Sequence, residues 1–209
     1  MFFQREGGRM SLVGEVLQVR DERKRVAGIL WTEEKIQKRI KEIARDIEKH
    51  YFSILQHSPD ANLVLVGILN GVIPFMGDLI KELSRLLPPD RLRYDTLAIS
   101  SYGVGTSPGE LRVEKDLKNP IAGDHVLIVE DIIDTGYTAK YFKQLLIHKG
   151  ALSVLICALA MKDLGQEHEV IPDFLGFTID KDLFIVGYGL DWADLWRFPT
   201  SVAYLEDIK

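Results

Sequence analysis

Apolar positions along this chain switch between two periods. Ile36, Ile40, Ile43, Ala44 and Ile47 recur at helical spacing; Thr32 is placed to cap that segment, and Glu33 and Glu34 suit its first turn. Residues 63–69 are instead a continuous apolar run, Leu-Val-Leu-Val-Gly-Ile-Leu, which predicts a parallel strand buried on both faces. Asn70-Gly71 follows, and Pro74 opens a second helical pattern to about residue 87. Further strands are expected at 91–101, 126–129, 153–160, 174–177 and 184–187, and a helix at 137–149 that Gly150 stops. Strands alternating with helices predict an α/β fold, a parallel-sheet core flanked by helices. In such a sheet, ligands bind beyond the carboxyl ends of the strands. The loops after Leu69, Ser101, Val129 and Ala160 should therefore share one edge.

Two stretches fall outside this rhythm. Residues 1–28 have weak periodicity and a charged cluster at 20–25, and they read as an N-terminal tail before a domain spanning 29–209. Residues 102–118 hold Gly103, Gly105, Pro108 and Gly109, a long loop of the kind used as a lid.

Composition narrows the function classes. The chain has 209 residues, enough for one domain with a sizeable core, and no apolar run long enough to span a bilayer. Its first residues are charged and lack a signal-peptide pattern, so a cytoplasmic enzyme is expected, with no membrane partner. A formal net charge of −5 argues against a nucleic-acid partner. The single cysteine, Cys157, sits in an apolar run and reads as a buried, inert thiol. His50, His57, His125, His148 and His168 show no metal-ligand spacing.

The candidate chemistry lies in residues 126–138, Val-Leu-Ile-Val-Glu-Asp-Ile-Ile-Asp-Thr-Gly-Tyr-Thr. An apolar strand ends in the acids Glu130 and Asp131. Asp134 then precedes Thr135-Gly136-Tyr137-Thr138, where a helix begins. A glycine turn into a helix N-terminus presents free amides and a favourable dipole to a phosphate, and the threonine hydroxyls add donors. Glu130 and Asp131 would repel phosphate but suit ribose hydroxyls or Mg²⁺. The pattern describes a sugar phosphate. It is not a Walker A loop, because no Gly-Lys-Ser/Thr is present and the acids come first.

This run resembles the phosphoribosyl-pyrophosphate signature of type I phosphoribosyltransferases, and its Glu-Asp-Ile-Ile-Asp-Thr-Gly form is similar to that of the hypoxanthine-guanine phosphoribosyltransferases. The resemblance extends over about residues 29–207. Ser101-Tyr102, Lys162, Pro172-Asp173-Phe174, the run 186–191 (Val-Gly-Tyr-Gly-Leu-Asp) and Arg197 follow in the family's order. It implies a small hood built from the N- and C-terminal segments. It also implies transfer of the 5-phosphoribosyl group of phosphoribosyl pyrophosphate to N9 of a 6-oxopurine, with Mg²⁺, in a homodimer or homotetramer.

Carried over by position, the resemblance makes Asp134 the general base and gives phosphoribosyl binding to Glu130, Asp131, Asp134, Thr135, Gly136, Tyr137 and Thr138. Pyrophosphate falls to Leu69, Asn70, Gly71 and Arg197, with a non-proline cis peptide at Leu69–Asn70. Ser101 and Tyr102 become the lid. Lys162 reads the 6-oxo group, Phe184 stacks on the base, and Ile185 and Asp191 offer backbone groups to its edge. Glu130, Asp131 and Asp191 are the implied metal ligands. Two departures stand out. Asn70 replaces a basic residue common among relatives, leaving backbone amides as the main donors there. Residues 163–166 lack the arginine that relatives often place after the lysine. The rival expectations are a nucleic-acid-binding regulator on the same fold, which should show a basic face, and an enzyme for xanthine, adenine or orotate. A lysine donor at the 6-position would be unpaired against the amino group of adenine.

Overall fold

The structure, a computed structural model, describes residues 5–6, 9–10, 24–101, 111–165, 168–192, 195–197 and 199–207. In chain order the elements are β1 (Arg5–Glu6), β2 (Arg9–Met10), β3 (Lys24–Trp31), α1 (Glu33–His57), β4 (Leu63–Ile68), α2 (Ile73–Leu83), β5 (Leu92–Ser101), β6 (Leu111–Lys115), β7 (His125–Ile133), α3 (Tyr137–His148), β8 (Ser153–Asp163), β9 (Phe174–Asp180), β10 (Phe184–Val186) and β11 (Val202–Asp207). The main sheet has six strands in the order β6-β5-β4-β7-β8-β9. All its pairings are parallel except that of β6, which returns antiparallel along β5.

Burial on both faces explains the apolar runs. Leu65, Leu127, Val129, Cys157 and Leu159 meet the apolar stripes of α1 and α2 in one core. Val64, Val66, Val126, Ile128 and Ile156 alternate with them and meet Phe142 and Leu146 of α3 in a second core. The helix stripe expected on α1 is buried as a set, and the Thr32 hydroxyl accepts from the Lys35 amide at 3.4 Å. Cys157 is sealed in the first core, and burial pushes its thiol well above the ordinary range, consistent with an inert side chain.

A second sheet of three antiparallel strands, β10-β11-β3, forms the hood, so strand β3 from before α1 pairs there with the C-terminal strand β11. The hood's base is tied to the core where Trp31 stacks on Phe177 at 4.2 Å. Strand β3 starts at Lys24, inside the segment expected as a tail. The long loop expected at 102–118 is likewise shorter, since Leu111–Lys115 form β6. Both strands lie at sheet edges or are only half-buried, where the apolar alternation that marks a strand is weak. The helix α2 ends at Leu83, short of the expected residue 87, with the Ser84 amide bonded to the Ile80 carbonyl.

Candidate active site

Because β5, β4, β7 and β8 run parallel, their carboxyl ends lie along one edge, and the candidate residues leave the sheet there. The glycine turn into α3 is formed as expected. Gly136 caps α3 with φ of 85°, a backbone shape that L side chains rarely adopt; having no side chain it cannot cap the helix, and the Tyr137 amide donates to Thr135 Oγ1 at 3.4 Å. A Cβ at Gly136 would also press on the backbone of Val170. The Glu169 amide donates to the Thr135 carbonyl at 3.0 Å, and Lys140 reaches the Glu169 carboxylate at 2.6 Å, so segment 168–172 braces the turn from outside. A cavity of about 130 Å³ is lined by Glu130, Ile132, Ile133 and residues Asp134 to Ala139.

The paired acids face different walls. Glu130 lines this cavity and is buried; burial, and then the charge of Asp131, pushes its carboxyl well above the usual carboxylate range. Asp131 lies instead against Gly71, so close that a Cβ there would overlap its carboxylate. Burial pushes Asp131 up to about 6; the Ile132 amide and the Arg197 cation oppose that rise, and Asp191 adds to it.

The turn after β4 carries a cis peptide at Leu69–Asn70. Gly71 is held between Asp131 and Gly189, and a Cβ on Gly189 (φ 97°) would run into the Gly71 carbonyl. Arg197 donates to the Gly189 carbonyl at 2.8 Å and pairs with Asp191 at 2.7 Å, while the Gly189 amide donates to the Arg197 carbonyl at 2.9 Å. The expected pyrophosphate group of Leu69, Asn70, Gly71 and Arg197 thus gathers around one point, with Asp131 and Asp191 beside it.

On the other side of Asp134, Lys162 Nζ lies 3.2 Å from Asp134 Oδ2. The Lys162 carbonyl is held at 2.7 Å by His168 Nε2, a contact the sequence reading did not anticipate. Phe184 is partly exposed and packs against Trp192 with ring centroids 4.8 Å apart and the two planes nearly perpendicular. Trp192 too was unmarked in the sequence reading, although its place directly after Asp191 was a signal. Ile185 is buried on β10. In the lid pair, Ser101 ends β5, and Tyr102 lies outside the described residues, as does Gln166 in the stretch lacking an arginine.

The acids expected at the metal site divide between two walls. Among the described residues no group of three His, Cys, Asp or Glu side chains could hold a metal ion, and Glu130 faces a different wall from Asp131. Asp131 and Asp191 remain as neighbouring oxygen donors at the Gly71 turn. That fits Mg²⁺, which usually takes one or two carboxylates plus substrate phosphates and keeps several waters, rather than a protein cage. No described helix is long and apolar enough to cross a membrane.

Residues 34–192 match the family model described as the phosphoribosyl transferase domain. The chain is 38% identical over 170 residues to the hypoxanthine-guanine phosphoribosyltransferase of Bacillus subtilis, covering 81% of this chain and 87% of that one. It is 37% identical over 180 residues to the hypoxanthine-guanine-xanthine phosphoribosyltransferase of Tritrichomonas foetus, covering 86% and 91%. A hypoxanthine phosphoribosyltransferase of Trypanosoma cruzi, solved as a point mutant in a ternary substrates complex, superposes with a TM-score of 0.79 at 34% identity, covering 87% of this chain and 96% of that one. With the signature turn, the sheet order and these relatives in agreement, the chain belongs to the phosphoribosyltransferase family, in its hypoxanthine-guanine branch.

Proposed function

We propose that this enzyme salvages purines by transferring the 5-phosphoribosyl group of phosphoribosyl pyrophosphate to N9 of hypoxanthine or guanine, giving IMP or GMP and pyrophosphate. The observation that carries this reading is the Asp134–Lys162 contact at 3.2 Å, which joins the sugar-phosphate turn to the purine side of the site. The 5-phosphate sits in the turn of Thr135, Gly136, Tyr137 and Thr138, on the N-terminal amides of α3 and the threonine hydroxyls. Glu130 and Asp131 bind the ribose hydroxyls from two walls. The bond from C1 of the ribose to the pyrophosphate oxygen breaks while the bond to N9 forms, and the electron pair leaves with pyrophosphate. Asp134 takes the proton displaced from the purine. Lys162 donates to the 6-oxo group, and Phe184 and Ile185 hold the ring.

The leaving pyrophosphate is received by the Leu69–Asn70–Gly71 turn, through the amides of Asn70 and Gly71, and by Arg197; the Leu69 amide is held by the Leu97 carbonyl. Mg²⁺ held by Asp131 and Asp191 would neutralise charge on the pyrophosphate. Ser101 and Tyr102 close over the site and exclude water. The enzyme acts as a homodimer or homotetramer in the cytoplasm, which suits a chain whose single cysteine is buried. The test is pyrophosphate release from phosphoribosyl pyrophosphate and Mg²⁺ with hypoxanthine, guanine, xanthine, adenine and orotate in turn. Turnover with hypoxanthine and guanine, and little with adenine or orotate, is expected. Preference for adenine or orotate overturns the assignment.

A further inference from the structure

Between the two glycines of the 187–191 turn stands a residue that the proposed chemistry does not use. Tyr188 is buried and has φ of 51°, a conformation uncommon for a bulky residue. Such a backbone persists only where its surroundings hold it. Here the holding contacts come from far along the chain. The Tyr188 hydroxyl donates to Asp78 Oδ2 on α2 at 2.6 Å and lies 3.4 Å from the Pro74 carbonyl. Gln37 Nε2 on α1 donates to the same Asp78 oxygen. The Tyr188 amide donates to the Pro199 carbonyl at 2.8 Å. Tyr188, Asp78, Gln37 and Arg197 line one groove of about 620 Å³.

What the hydroxyl fixes is the neighbour, Gly189. The Gly189 carbonyl is an acceptor for Arg197, its amide pairs with the Arg197 carbonyl, and its Cα is packed on the Gly71 carbonyl. Moving Tyr188 therefore moves Gly189, and with it both Arg197 and the spacing to the Gly71 turn. Pro74 and Asp78 belong to the helix that the same turn leads into, so the tether ties the two halves of the pyrophosphate subsite to one rigid element.

We infer that Tyr188 and Asp78 are positioning residues for pyrophosphate: their hydrogen bond sets the distance between the Leu69–Gly71 turn and the Gly189–Arg197 pair. The inference rests on the proposed phosphoribosyl transfer for the identity of the ligand. It separates from a general structural role because the nucleotide's 5-phosphate is held elsewhere, on the α3 turn.

The experiment is calorimetric binding of pyrophosphate with Mg²⁺, and separately of GMP, to wild type, Tyr188→Phe, Asp78→Ala and Asp78→Asn, with thermal unfolding of each sample. A misplaced subsite should weaken pyrophosphate binding roughly tenfold in Tyr188→Phe and Asp78→Ala while GMP changes by less than about threefold. Asp78→Asn keeps an acceptor oxygen in place and should recover most of the loss seen in Asp78→Ala. If Tyr188→Phe does not fold, Asp78→Ala reads the same contact from the helix side. Pyrophosphate binding within about twofold of wild type in both variants, or equal losses of pyrophosphate and GMP, overturns the inference. Binding keeps the two claims apart: a wild type that binds pyrophosphate but turns over no base defeats the reaction, and the variant comparison still stands.

Discussion

Lys162 Nζ and Asp134 Oδ2 are 3.2 Å apart, so the two groups proposed to meet the purine's 6-oxo group and its proton stand side by side. The Asp134 side chain is 59% exposed, and an ion pair that open is worth about 0–1 kcal/mol to folding. The pair therefore contributes little to stability. Asp134→Asn keeps the shape and removes the proton acceptor. Its turnover should fall by about 10²–10⁴-fold, while its melting temperature should move by no more than about 4 °C. A variant within threefold of wild-type turnover, measured by pyrophosphate release, would mean another group accepts the proton.

Lys162→Met removes the donor and retains much of the stem. Sites built to pair a polar group reject analogues that lack it, so the preference for hypoxanthine over adenine should shrink in competition assays. The lysine's carbonyl is held by His168 independently of its ammonium group, so the strand end should keep its place in the variant. Unchanged selectivity would remove Lys162 from base recognition.

How much of this was legible beforehand depends on where each signal lies. The α1 stripe and the strands β4, β7 and β8 are readable because both faces of the sheet are buried and the apolar run is continuous. The signature turn is readable because its chemistry is local: acids, glycine and hydroxyls within nine residues of Glu130. Edge strands β3 and β6 are only partly buried and left little pattern. The opposite placement of Glu130 and Asp131 could have been drawn from the two-residue strand period, and treating them as one ligand pair missed it. Tyr188 and Asp78 lie 110 residues apart, and no local pattern links them.

Asp95 predicts an acid limit to stability. Burial alone would raise its carboxyl, but the Thr96 and Lys118 amides and the Lys115 ammonium outweigh that and hold it below the ordinary 3.8. With the folded pKa depressed, the stabilisation is fully present above about pH 3.8 and is lost as pH falls through the lower, folded value. These contacts tie β5 to β6 and to the chain after it, at the base of the expected lid. Urea unfolding between pH 3 and 6 should show the gap between wild type and Asp95→Asn closing toward the acid end. A gap that stays constant with pH would show that the carboxylate charge is not what stabilises the node.

Gly71 and Gly189 touch each other, yet they should tolerate a methyl group differently. A Cβ on Gly189 meets the Gly71 carbonyl, which is backbone, and φ of 97° adds strain for any L residue. Gly189→Ala should therefore cost about 2–4 kcal/mol of stability. A Cβ on Gly71 meets chiefly the carboxylate of Asp131, a side chain that can swing away, and its next contact is the Gly189 carbonyl at 3.3 Å. Gly71→Ala should cost less, about 1–2 kcal/mol, while displacing a carboxylate assigned to the ribose and so impairing turnover strongly. A double-mutant cycle isolates the cause. In an Asp131→Ala background the carboxylate is gone, and Gly71→Ala should cost at least about 1 kcal/mol less than in wild type. Equal costs in the two backgrounds, measured by urea unfolding, would show that the carboxylate contact is not what demands glycine at position 71.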